Sequence, residues 1–68
     1  MPSTTERVAA RVVERRRARG LSQAALAEKT GLNRVTLARL ERAMHPPNLD
    51  TLDRIARALR VTLADLVK

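Results

Sequence analysis

An all-α domain of five helices is predicted from this sequence, and three observations carry that expectation. Cap-type residues stand at Ser3, Ser22, Asn33, Asn48 and Thr62, each just before a stretch with helical apolar spacing. Breakers close the first three stretches, at Gly20, Thr30-Gly31 and Pro46-Pro47. Nowhere do apolar and polar residues alternate over the length that a half-buried strand needs. A chain of 68 residues has room for one domain, 1–68, with a small core. Folding at this size buries only about 60% of the unfolded surface.

Ser3-Thr4-Thr5-Glu6 reads as a capping box, in which the Ser3 hydroxyl accepts from the Glu6 N–H while Glu6 reaches back. The first helix then runs from about Thr4 to Arg19, with Val8, Val12, Arg16 and Arg19 on one stripe. Gly20 ends it by tolerating positive φ. Ser22 caps a second helix, Gln23 to about Lys29, which turns Leu26 and Ala27 inward. Asn33 caps a third, Arg34 to Arg42, and Pro46-Pro47 forbid its continuation. Asn48 caps the fourth, Leu49 to Leu59, where Leu49, Leu52, Ile55, Ala56 and Leu59 recur at helical spacing. Thr62-Leu63-Ala64-Asp65 opens a short fifth helix to about Val67. Helices two and three, joined through Thr30-Gly31-Leu32-Asn33, form a tight helix-turn-helix held by Leu26, Leu37 and Leu40.

Charge narrows the class of partner. The chain carries 14 Lys+Arg against 7 Asp+Glu, a net +7, and every cation except Lys29 and Lys68 is Arg. Guanidinium forks suit phosphates and guanines better than ammonium groups do. The balance points to a polyanion, with nucleic acid ahead of an acidic membrane surface. The chain has no Phe, Trp or Tyr, and readers of single strands stack unpaired bases on such rings. Duplex DNA is therefore the expected form. One His, scattered carboxylates, two Gly and no Cys supply no catalytic dyad, metal cluster, disulfide or phosphate loop. No enzyme activity, cofactor or small-molecule ligand is expected. Neither a signal-peptide run nor a span of roughly 20 apolar residues occurs, so a prokaryotic-type cytoplasmic, nucleoid-associated protein without a membrane partner is expected.

The third helix holds the sharpest signal. At 100° per residue, Arg34, Val35, Ala38, Arg39 and Arg42 fall within about 140° of one another. Asn33, Thr36, Leu37 and Leu40 lie on the other side. A helix that needs only solubility mixes signs on its outer face, whereas this face has three guanidiniums and no acid. Arg bonds guanine O6 and N7 bidentately and Val contacts a thymine methyl; Ala38 lets the helix sit close to base edges. The competing reading is a solvated basic face.

Gly20-Leu21-Ser22-Gln23-Ala24-Ala25-Leu26-Ala27-Glu28-Lys29-Thr30-Gly31-Leu32-Asn33-Arg34-Val35-Thr36-Leu37-Ala38-Arg39-Leu40-Glu41-Arg42 resembles the Cro/XRE-type, lambda-repressor-like helix-turn-helix family. The likeness continues through Pro47-Asn48-Leu49-Asp50-Thr51-Leu52 and Ile55-Ala56-Arg57-Ala58-Leu59 to Val61-Thr62-Leu63-Ala64-Asp65-Leu66. It implies a five-helix DNA-binding domain that regulates transcription, usually as a repressor, and dimerises on two-fold operators. It also implies that Arg34, Val35 and Arg39 read bases. Gln23 is implied to touch the DNA backbone and brace the recognition helix, and Asn33 and Thr36 to contact phosphate or the flank of the site. Arg16 is implied to bond Glu41, a structural tether whose rupture, if buried, costs about 3–5 kcal/mol.

The chain departs from the family at two turns. Ala43 and Arg60 replace glycines, and a left-handed conformation at either costs about 1–2 kcal/mol. The loop Met44-His45-Pro46-Pro47 lacks the usual phosphate-gripping residues, so backbone grip is expected from Arg42 and from helix-one cations such as Arg19. Arg15, Arg17 and Arg19 read as general electrostatics rather than specific contacts, and His45 as a loop residue. Met44, Leu63 and Val67 either line a homodimer interface or complete the monomer core. An antitoxin or adaptor-like interaction module on the same fold is the alternative function; ending at Lys68, the chain lacks the neutralising tail such modules often carry.

Overall fold

Every helix begins where a side chain can take one of its orphan N–H groups. The computed structural model describes residues 1–68 and contains α1 (Thr4–Ala18), α2 (Gln23–Thr30), α3 (Arg34–Glu41), α4 (Leu49–Leu59) and α5 (Leu63–Val67), with no strand. Ser3, Ser22, Asn33, Asn48 and Thr62 are the N-caps, each accepting from an N–H two or three residues on. Two of these are reciprocal boxes, Ser3 with Glu6 and Thr62 with Asp65. None of the five helices is long and apolar enough to cross a membrane.

The helix ends differ slightly from the sequence expectation. α1 stops at Ala18 with Arg19 as its C-cap, and α3 stops at Glu41 with Arg42 as its C-cap. α2 runs one residue further, through Thr30, whose hydroxyl donates to the Leu26 carbonyl at 2.8 Å. Gly31 then closes it at φ 73°.

Both non-glycine turns keep the left-handed geometry, with φ 56° at Ala43 and 57° at Arg60. Each sits in a hydrogen-bonded helix exit. The Met44 N–H donates to the Arg39 carbonyl (3.2 Å), and the Val61 N–H to the Ala56 carbonyl (3.0 Å).

Val8 and Val12 of α1, Leu26 and Ala27 of α2, Leu37 and Leu40 of α3, Leu52, Ile55, Ala56 and Leu59 of α4, and Leu66 of α5 form one buried cluster. α2 packs against both α3 and α4, whereas α1 packs against α3, α4 and α5. One expected core residue is not in it: Leu49 is 69% exposed. By angle it belongs to the α4 stripe, but it is the helix's first residue and no neighbouring helix covers it. Leu63 and Val67 pack half-buried on the cluster, while Met44 is 60% exposed. Asn33 and Thr36, which share the α3 side of the two leucines by angle, are exposed as well. The buried stripe of α3 is thus only Leu37 and Leu40.

Candidate nucleic-acid interface

α3 is short, and eight residues do not hold a helix in water unaided. Its outer side chains therefore depend on how its two ends and its inner stripe are fixed. Leu37 and Leu40 are buried beneath it, and the Asn33 Oδ1 accepts from the Val35 N–H at 2.7 Å. That bond uses the Asn33 acceptor and leaves its amide NH₂ free as a donor.

The far end is held by a buried polar knot. Arg16 Nε and Nη2 donate to Glu41 Oε2 and Oε1 at 2.7 and 3.0 Å, with side-chain exposures of 10% and 5%. Arg16 Nη1 donates to the Leu21 carbonyl (2.8 Å), and Gln23 Nε2 donates to Glu41 Oε1 (2.9 Å). A carboxylate in the last turn of a helix opposes the macrodipole, so the cation is needed there. The knot joins α1, the start of α2 and the end of α3. Gln23 is thereby a brace, with one N–H of its amide still undirected.

With both ends fixed, Arg34, Val35, Arg39 and Arg42 are exposed and Ala38 is half-buried among them. No acid interrupts this surface, because Glu41, the one acid of α3, faces Arg16. Thr36 and Asn33 are exposed along its edge, and Arg17 and Arg19 are exposed at the end of α1. The structure does not gather Met44, Leu63 and Val67 into one patch of equal exposure; only Met44 is open.

Two features were not read from the sequence. Arg7 Nη2 donates to the Val67 carbonyl at 3.0 Å, and Arg11 Nη1 to the Asp65 carbonyl at 2.8 Å. These α1 cations cap the carbonyl end of α5 and are spent on structure. Their place four residues apart, on the same helix as Arg15, was the only available signal. Among the acids, Glu6 and Asp65 are held below their ordinary carboxyl values, chiefly by N–H bonds from Ser3 and Thr62. Both lie at helix starts away from α3. No group of three His, Cys, Asp or Glu residues is placed to hold a metal ion.

Comparison with known proteins gives a consistent result. The helix-turn-helix family model HTH_3 matches residues 12–66. The immunity repressor protein of Bacillus phage phi105 is 40% identical over 60 residues, covering 88% of this chain and 42% of the repressor. An HTH-type transcriptional regulator of Methanothermobacter thermautotrophicus is 46% identical over 46 residues, 68% of this chain and 67% of that protein. Among solved structures, the restriction-modification controller protein C.AhdI of Aeromonas hydrophila superposes with a TM-score of 0.88 at 32% identity. That match covers 91% of this chain and 94% of the controller.

Proposed function

The chain belongs to the helix-turn-helix family HTH_3, and from that premise we propose that it is a sequence-specific, duplex-DNA-binding transcriptional repressor acting as a homodimer in the cytoplasm. Each subunit lays α3 in a major groove. Arg34, Val35, Ala38 and Arg39 face the base edges; Gln23, Asn33, Thr36, Arg42 and Arg19 face the backbone. Residues 1–68 act as one domain, and exposed Met44 and half-buried Leu63 and Val67 contribute to the dimer contact. The name of the phage relative supports the repressor role, although this chain spans less than half of that protein's length.

The observation that carries the reading is an acid-free guanidinium face on a helix whose only carboxylate is buried against Arg16. Such a face attracts phosphate at long range and can fork onto guanine at short range. Selection of bound duplexes from a random pool, followed by footprinting, tests it. A two-fold symmetric motif with half-sites about 34 Å apart is expected. Arg39→Ala should cost about 1–3 kcal/mol on the selected duplex and relax one base position. If Arg39→Ala weakened selected and scrambled duplexes equally, the base-reading role would be lost.

A further inference from the structure

We propose that Lys29, Arg54 and Arg57 form a second phosphate-binding surface, with which the protein captures a second DNA duplex while α3 holds the first. The three cations line a shallow cavity of about 340 Å³ between the end of α2 and the second half of α4, together with Thr30 and Ala58. All three are exposed. Arg54 and Arg57, three apart, share a face of α4, and Lys29 lies in the last turn of α2. The one carboxylate bonded to a member of this group is Asp53, which takes Arg57 Nε at 3.1 Å and leaves both Nη groups free. Buried Thr30 turns its hydroxyl toward the Leu26 and Ala27 carbonyls, so the cavity offers charge and little else.

The chemistry of the lining selects the partner. An acidic protein segment gains stable affinity from apolar or aromatic anchors at its centre, and Ala58 is the only apolar residue here. A phosphate backbone needs only cations. The position selects a second duplex over a longer path on the first. α2 packs against both α3 and α4, and the cavity is lined from α2 and α4 alone, with no residue of α3. The domain measures 31 × 23 × 21 Å, and bending a 20–30 bp site by 40–90° costs about 1–6 kcal/mol. A few surface cations do not offset such a bend.

The test immobilises a duplex selected by the full-length protein and measures retention of a labelled duplex of unrelated sequence at low salt. The wild type should retain it. The variant Lys29→Gln/Arg54→Gln/Arg57→Gln should lose that retention while its affinity for the selected duplex and its helical signal stay unchanged. For the wild type, retention should fall with salt more steeply than for single variants, by a slope of about 0.9 per cation. Retention by the triple variant equal to wild type would overturn the proposal. So would wild-type protein that binds the selected duplex but retains no second one, or that retains poly-glutamate and not DNA. Failure of the α3 reading is separate: it appears as loss of selection itself.

Discussion

At Arg60 the backbone takes φ 57° and ψ 41°, a conformation that costs a side-chain-bearing residue about 1–2 kcal/mol. Ala43 is held the same way at φ 56°. Glycine removes that strain but adds freedom to the unfolded chain, so Arg60→Gly and Ala43→Gly should each stabilise the fold by about 0.5–1 kcal/mol net. Urea unfolding monitored by circular dichroism reads this directly, and a lower midpoint for both would show that the turns are not strained. Glu41 works in the opposite direction. Glu41→Ala leaves Arg16 buried and unpaired, at a cost of about 3–5 kcal/mol. A domain of this size is stable by roughly 3–10 kcal/mol in all, so this one change takes most of the margin. Replacing both partners, Arg16→Met with Glu41→Met, should cost less than Glu41→Ala alone, since no charge is stranded. Thermal melts of the two variants compare them.

Among the elements, α5 is the most dependent on its surroundings. Five residues cannot nucleate a helix alone, and α5 is held by the Thr62–Asp65 box, by Leu66 in the core and by Arg7 and Arg11 on its carbonyls. Its acid sensitivity follows from the box. The Asp65 carboxyl is held below its ordinary value of 3.8, chiefly by the Thr62 N–H, and Glu6 below 4.5 by the Ser3 N–H. A carboxyl depressed by folding contributes stability that is full above its unfolded value and is lost as pH falls through the folded one. The melting temperature should therefore hold steady above about pH 5 and decline below about pH 4. Asp65→Asn should flatten that decline; an acid limb identical to wild type would remove the box from the account.

The whole molecule divides its cations by task. Arg7, Arg11 and Arg16 are spent on α5, Leu21 and Glu41, whereas Arg17, Arg19, Arg34, Arg39 and Arg42, and on other elements Lys29, Arg54, Arg57 and Arg60, remain open to solvent. Net charge thus overstates what is available to DNA. Arg19→Ala should weaken binding to all duplexes alike and reduce the slope of log affinity against log salt by about 0.9. Measured as fluorescence anisotropy across a salt series, a change in sequence preference instead would make Arg19 a base reader.

Much of this was legible in the chain itself, because it is local. Caps, glycine stops and the 100° advance of side chains act over a few residues. Ser3, Asn33 and Thr62 therefore marked helix starts, and the exposed face Arg34–Arg42 followed from angle alone. For the Arg16–Glu41 bond, 25 residues apart, the helical stripe of Val8 and Val12 turns Arg16 inward, but the identity of its partner came from family resemblance and not from spacing. Packing decided the rest. Leu49 carries the right period but has no helix over it, and Arg7 and Arg11 look like free cations until α5 lies against α1. Lys29 comes to Arg54 and Arg57 only because α2 is laid across α4. Periodicity fixes which way a side chain leaves its own helix; what it meets there depends on chain segments tens of residues distant.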